Sequence, residues 1–496
     1  MAASEAVAHL LTGVTSPLIS VGDRAVDWAP PSLKEFAIQH FGTHDKQVLI
    51  GSVIVVVALL AVVIGAVAVR RFRTGIGIFV ALIAVATAAT LTDRTANAGV
   101  ALRLLPVLAL VVVGLGGLVW MVSALRRRTD LGAVEGDELP AGFDRRAFLR
   151  SAVGVGAVAA IGGIVAQAYG GLAAAASRAG ITLPRPSVPA DPVPAGATLD
   201  VPGITPYLTS NNDFYRVDTA LRIPDVPVEG WRLRIHGMVD KPLDLSFADL
   251  MRRRLVEKRI TLTCVSNEVG GHYAGNASWL GVLLSDLLAE AGVQDGADAL
   301  KSTSQDGWTA GTPLDALTDT ERPSMIAIGM NGEPLPLKHG FPARMVVPGL
   351  YGYVSATKWL VDLEVTRFAD FKAYWSTRGY SVEAPIKTMS RLDVPRSFAR
   401  FSAGKVPIAG VAWSQDRGIA KVEVKIDDGP WQEARLAQED NIDTWRQWVF
   451  EWDAPTGSHT ITARATDKTG YTQTAVTTGV APDGATGLPI NYVTVL

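Results

Sequence analysis

Four long stretches without a charged side chain constrain this chain most, and all lie within the first 176 of its 496 residues. Residues 48–69 and 104–125 are uncharged runs of 22, residues 75–91 a run of 17, and the Ala- and Gly-rich residues 151–176 a run of 26. At about 1.5 Å per helical residue, such a run of 22 reaches about 33 Å, enough to cross a hydrocarbon core of about 30 Å. Buried helices of a soluble core would explain the run of 17 better than the two runs of 22. The pattern predicts a transmembrane helical region of four spans over residues 48–176, preceded by an extracytoplasmic segment, 1–47.

Flanking charges orient the set. Arg70, Arg71 and Arg73 follow the first run, Arg126, Arg127 and Arg128 follow the third, and Arg145, Arg146 and Arg150 precede the fourth. Arginine-rich loops stay cytoplasmic, which turns residues 1–47 and everything after residue 176 outward. The segment Phe143-Asp-Arg-Arg-Ala-Phe-Leu-Arg150 resembles a twin-arginine export signal, an address read by a receptor; an ordinary stop-transfer cluster is the plainer alternative. Gly154-Val-Gly156-Ala-Val-Ala159 nearly matches a dinucleotide fingerprint, but no strand precedes it. Small residues there suit close packing of a membrane helix.

Charge and sulfur exclude several classes. With 46 basic and 48 acidic side chains there is no electrostatic case for a nucleic-acid partner. A single cysteine rules out an intramolecular disulfide and any cysteine-rich zinc site. None of the seven histidines falls in the four apolar runs, so a transmembrane haem has no ligand pair. No intrinsic haem is expected.

After the membrane region, seven prolines between residues 181 and 206 mark a linker over residues 177–208. Residues 209–394 mix short strands with few helices, an α+β texture. Residues 231–239 alternate like a half-buried strand, Ser246 opens a capped helix, and residues 326–330 run into the tight turn Asn331-Gly332. From residue 395 to 496 the texture is all-β. Residues 421–426 and 459–466 alternate and end at Asp428-Gly429 and Thr469-Gly470, which fits an immunoglobulin-like β-sandwich without its disulfide. Trp413, Trp431, Trp445, Trp448 and Trp452 are most simply packing residues.

The lone cysteine, Cys264, ends a strand in Thr-Leu-Thr-Cys-Val-Ser-Asn-Glu-Val-Gly-Gly. A strand end before a glycine-containing loop presents a side chain well to a ligand, and a thiolate is a soft donor suited to a transition metal. Composition alone favours a buried, inert cysteine. The surrounding motifs change that balance. The cysteine strand, Gly275-Asn-Ala-Ser-Trp-Leu-Gly281, the stretch Gly332-Glu-Pro-Leu-Pro-Leu-Lys-His-Gly-Phe-Pro-Ala-Arg-Met-Val-Val-Pro-Gly-Leu-Tyr-Gly352, Lys358-Trp359 and Ala384-Pro-Ile-Lys387 follow in order. Together, from about Asn211 to the C-terminus, the chain resembles the sulfite oxidase family of molybdenum enzymes.

That resemblance implies a molybdopterin-binding α+β domain with Cys264 as the protein ligand of molybdenum, the metal being otherwise held by a pterin dithiolene and oxo groups. It implies cofactor-binding roles for Asn212, Tyr215, Arg216, Ser304, His339, Arg344, Ser355 and Lys358. Arg216 is read as catalytic beside Cys264, and an apparent one-residue insertion displaces the match at Ser355. The C-terminal domain resembles the family's dimerisation domain, which implies a homodimer; the family's cytochrome module has no counterpart here. The chain departs from the pattern at Val265-Ser266-Asn267-Glu268, where sulfite-oxidising members carry arginines, and at Trp308, where many have tyrosine. The expectation is a membrane-anchored, outward-facing oxidoreductase that moves an oxo group between a small substrate and water with two electrons. A sulfite dehydrogenase is one alternative, reduction of an S-oxide or N-oxide another. Without those arginines, sulfite is expected to be a poorer substrate than a neutral oxide. From a different class, a cofactor-free membrane-tethered binding module would use the sandwich alone.

Overall fold

The computed structural model describes residues 1–11, 14–30, 33, 36, 45–93, 98–126 and 172–496. These form two compact units: residues 1–173 with 218–225, and residues 174–217 with 226–496. The twin-arginine segment and residues 151–171 of the fourth apolar run lie outside the described residues.

The first unit is helical. Three of its helices are long and apolar enough to cross a membrane: Val48–Arg70, Phe72–Leu91 and Val100–Val122, with mean hydropathies of 3.1, 2.1 and 2.5. Most of their side chains face outward, and Ile64, Ala68, Leu118 and Val122 pack inward with Phe79 and Leu82. Glycine sets the spacing at one crossing, because a Cβ on Gly75 would lie 2.4 Å from that of Ala68. Two shorter helices precede the spans, Ala2–His9 and Pro17–Trp28, the second capped by Ser16 with proline at its first position. Two polar side chains, Arg103 and Ser20, tie parts of this unit together. Arg103 donates to the carbonyls of Thr90, Leu91 and Asp93 at 2.6, 3.2 and 2.9 Å, closing the C-terminal end of helix Phe72–Leu91. Ser20 Oγ donates to Asp93 at 2.5 Å.

The last residues of the fourth apolar run belong elsewhere. Helix Leu172–Ala179 carries Ala174, 1% exposed, into the core of the second unit beside Phe214 and Trp279. The proline-rich stretch that follows is extended, but it is docked rather than free. Val188 N–H donates to Leu255 O at 3.1 Å, and Leu199 N–H donates to Gln447 Oε1 at 2.6 Å. The globular unit therefore begins about 35 residues before the boundary read at residue 209, counting from Ala174.

The α+β body of this unit has strands β1 (Arg232–Gly237), β2 (Leu243–Ser246), β3 (Val256–Thr263), β4 (Ala274–Leu283), β5 (Ala299–Ser304), β6 (Thr309–Pro313), β7 (Met325–Met330), β8 (Glu333–Pro334), β9 (Arg344–Val346) and β10 (Leu360–Thr366). One sheet runs β2-β1-β10-β5-β6 and the other β3-β4-β7-β8, with β9 beside β7. β1 buries Leu233 and Ile235 on one face, whereas β7 is buried throughout, as an apolar run without alternation requires. Asn331 and Gly332, at φ 51° and 80°, make the β7–β8 hairpin turn that the Asn-Gly pair predicts. Ser246 caps helix Phe247–Arg252 reciprocally with Asp249.

The C-terminal part is a two-sheet sandwich. Its strands are β11 (Met389–Val394), β12 (Arg400–Phe401), β13 (Gly404–Trp413), β14 (Ile419–Ile426), β15 (Gln432–Glu433), β16 (Arg435–Leu436), β17 (Arg446–Ala454), β18 (Gly457–Asp467) and β19 (Ile490–Val495), ordered β11-β13-β17-β16 and β12-β19-β18-β14-β15. Ile408, Trp448 and Trp452 of one sheet meet Val422, Val424 and Ile461 of the other. Trp413 and Trp445 are buried as well, while Trp431 lies under Arg464 and Lys425 at 4.2 and 5.4 Å.

One buried carboxyl gives this fold a pH signature. Asp443, 7% exposed, is pushed up to about 6 by burial, with the Asp416 charge adding and the Asp416 N–H bond opposing. The folded state thus favours the proton, so the group's contribution is complete below the ordinary value of 3.8 and is lost as pH rises to about 6. A displacement of that size is worth roughly 3 kcal/mol. Asp443→Asn should flatten the melting temperature between about pH 4 and 7, since the amide keeps the acceptor and cannot ionise. Parallel wild-type and variant curves over that range would reject the assignment.

Candidate functional site

The residues singled out in the sequence come from separate elements of the second unit. Cys264 follows β3, Ser304 closes β5, His339 ends the short turn Leu337–His339, Arg344 opens β9, and Ser355 ends helix Gly352–Ser355. Asn212, Tyr215 and Arg216 lie on the irregular segment before residue 218. That segment is stapled by Asn331, whose Nδ2 donates to Thr209 O and Asn211 Oδ1 at 2.9 Å each. Its Oδ1 accepts from Ser278 N–H, also at 2.9 Å.

Cys264 is buried and its thiol is pushed above its ordinary value by that burial, against the Ser266 N–H, which donates to Sγ at 3.4 Å, and the Lys358 charge. Tyr215 stands close enough to feel the same sulfur: burial first, then Cys264, raise its phenol, while Arg344 acts the other way. Burial also raises Tyr351, to about 12, with Cys264 contributing. Both phenols therefore keep their protons at neutral pH.

Around them sit one buried cation, Arg344, and two half-buried ones, Lys338 and Lys358. Arg344, 5% exposed, donates to the carbonyls of His339, Ala356 and Met345 at 3.1, 3.2 and 3.3 Å and lies over the Trp279 ring at 5.1 Å. Among the described residues no carboxylate pairs with it, and burial pushes it down to about 10. Lys358 donates to Val217 O at 3.2 Å, and Lys338 to Asn212 O at 3.0 Å. His339 is pushed down to about 3 by burial, reinforced by Arg344, Lys358 and Lys338 and opposed by its bond to the Asn211 carbonyl at 2.9 Å. It is neutral, and because a carbonyl only accepts, Nε2 carries the proton.

The remaining positions divide. Ser304 Oγ is buried and has no partner among the described residues. Ser355 is different: its hydroxyl donates back to Leu350 O and Tyr351 O at 2.9 and 3.0 Å, so its proton serves its own turn. Asn212 is exposed and Arg216 half-buried, so neither is enclosed as Arg344 is. The sequence reading passed over Tyr351 and Trp279 as site residues, although both lie inside motifs that carried the family resemblance. It also treated Asn331 only as a turn. Glu268, in the stretch where sulfite-oxidising members carry arginines, is exposed. The loop that holds it receives a cation from another strand, since Arg391 donates to Gly271 O at 3.2 Å.

Comparison with known proteins places this geometry. Residues 220–375 match the family model described as oxidoreductase molybdopterin binding domain. Human mitochondrial sulfite oxidase is 30% identical over 299 residues, 51% of this chain and 54% of that protein. An uncharacterized oxidoreductase of Bacillus subtilis, YuiH, is 36% identical over 165 residues, 32% of this chain and 79% of its own length. Among solved structures, the sulfane dehydrogenase SoxCD from Paracoccus pantotrophus aligns with a TM-score of 0.51 at 25% identity, covering 59% of this chain and 82% of that one. The chain spans about half the length of the sulfite oxidases it matches, 54% in the human case.

Proposed function

The chain belongs to the sulfite oxidase family of molybdopterin oxidoreductases, and on that premise we propose that it is a membrane-anchored enzyme whose molybdenum site transfers an oxo group at the extracytoplasmic face. The observation that carries the reading is Arg344: a buried guanidinium without a carboxylate among the described residues, acting with the buried Cys264 on the same tyrosine, Tyr215. Burying a charge without a counter-charge is expensive, and the phosphate of a pterin cofactor would supply one. The unpartnered Ser304 hydroxyl supports the same fit, as does Cys264, a soft donor for a transition metal.

When bound, the molybdenum–pterin group supplies a two-electron centre able to exchange an oxo group with a small substrate. The chain's own residues do the rest. Arg344 and Lys358 hold the anionic part of the cofactor, the guanidinium through paired N–H donors. Neutral His339 fixes the segment carrying Asn212, Tyr215 and Arg216 through Asn211, and keeps Nδ1 as an acceptor. Tyr215 and Tyr351 remain protonated and can each donate a hydrogen bond beside Cys264. The Cys264 sulfur holds a proton until a metal takes its place, so loading depends on pH. Electrons then pass to a separate carrier, a quinone or a cytochrome, and the sandwich supports a homodimer. Metal analysis of the purified full-length chain tests the reading: about one molybdenum per chain is expected, and none would overturn it.

Orientation has its own test. Changing Arg145 and Arg146 to lysine keeps the loop charge, so the positive-inside rule alone leaves topology unchanged. If the pair is an export signal, the catalytic unit should instead stay inside, inaccessible to added protease in intact cells. Normal protease accessibility would reject the signal and spare the topology.

A further inference from the structure

The direction of the Cys264 sulfur depends on whatever fixes the end of β3, and one edge of that strand is held from far along the chain. On one side β3 pairs with β4 throughout, Thr261 opposite Asn276 and Thr263 opposite Ala274. On the other side Thr261 N–H donates to Asp443 O at 2.9 Å, and Thr261 O accepts from Gln415 Nε2 at 2.8 Å. Farther back on this edge Arg259 O accepts from Asn441 Nδ2 at 3.3 Å, and Val188 pairs with Leu255 and Glu257. Gln415 is thus the last of these partners before the cysteine, and its Nε2 also reaches Thr263 Oγ1 at 3.2 Å.

Gln415 comes from the turn between β13 and β14 of the sandwich and is 0% exposed. Its Oε1 is buried without a partner among the described residues. A buried acceptor left unbonded costs stability, and an apolar side chain of the same length would avoid that cost. What glutamine adds at this position is a donor aimed at Thr261 and Thr263, the two threonines leading up to Cys264. We propose that Gln415 is a positioning residue: by tying Thr261 and Thr263, it fixes how Cys264 presents its sulfur to the metal. This rests on the reading of Cys264 as a molybdenum ligand.

The test uses the full-length chain with Gln415→Met and Gln415→Glu. Gln415→Met removes the orphaned acceptor but leaves the buried Thr261 carbonyl without its donor, so the two costs offset and the melting temperature should stay near wild type. Backbone amides of residues 261–264 should exchange about tenfold faster, the factor expected for one lost net hydrogen bond. In metal-loaded protein the electron paramagnetic resonance of the reduced metal should shift, and kcat should fall with KM held. Gln415→Glu can donate only when protonated, so protection of residues 261–264 should return on acidification. Wild-type exchange and resonance in Gln415→Met would overturn the proposal. So would faster exchange spread evenly over the sandwich with an unchanged resonance, the mark of a merely structural residue. If Gln415→Met fails to fold, Gln415→Glu decides: protection of residues 261–264 that ignores pH overturns the proposal. Absence of molybdenum from the wild-type chain is a different failure. It removes the metal reading, and exchange in metal-free protein then decides alone whether Gln415 holds the strand.

Discussion

Cys264→Ser is expected to leave a folded protein without turnover. The replacement is nearly isosteric, and the Ser266 N–H that donates to Sγ at 3.4 Å can serve an oxygen instead. Burying a hydroxyl in place of a thiol costs about 1–3 kcal/mol, too little to unfold a domain held by 5–15 kcal/mol. Activity should fall much further. Removing even an outer partner of a metal ligand costs about 10–100-fold, so loss of the ligand itself should exceed about 100-fold. A hydroxyl is a hard donor that stays protonated near neutral pH and does not replace a soft thiolate. Turnover and metal content measured on one preparation, with melting temperature as the folding control, check this. A variant that keeps more than about a tenth of wild-type turnover would show that Cys264 is the inert buried cysteine its composition first implied, the outer-partner range being the yardstick.

What the sequence revealed depended on whether the cause was local. The Asn331-Gly332 hairpin was legible because its two positive φ values demand those residue types, and the Ser246 cap because its partner lies three residues on. The three long apolar helices announced themselves by length. The proline-rich stretch did not reveal its docking, since Val188 and Leu199 bond to Leu255 and Gln447, far along the chain, and an extended chain has no period to betray a partner. The site shows the same division. Cys264 and Arg344 could be named from ordered motifs, but that no carboxylate among the described residues pairs with Arg344 is a property of packing alone. Ser355 illustrates the opposite case: a serine in the matching loop looks like a cofactor donor until its hydroxyl is seen bonding two carbonyls of its own turn. Ala174 shows why the fourth apolar run ended too late in the reading, because an alanine in a core and an alanine in a bilayer are the same letter.

Arg344→Met should move stability and cofactor retention in opposite directions. Burial pushes this guanidinium from 12.5 down to about 10, so the folded, cofactor-free site disfavours the charge. That displacement corresponds to roughly 3 kcal/mol. Methionine fills much of the same space over Trp279 without the charge, so the cofactor-free variant should be no less stable than wild type, the three carbonyl bonds lost being offset by relief of the unpaired cation. Retention of the cofactor should collapse, because the anion that would neutralise Arg344 loses its partner; a buried charge-assisted pair broken on one side costs about 3–5 kcal/mol, or about 100-fold and more in affinity. Arg344→Lys should not restore it, since an ammonium cannot present the paired donors of a guanidinium to the same phosphate. Melting temperature of metal-free protein, molybdenum content and pterin release on gel filtration measure the two effects separately. A variant that loses stability yet retains its molybdenum would make Arg344 a packing residue, and would require the phosphate to be held elsewhere, with Lys358 the next cation to remove.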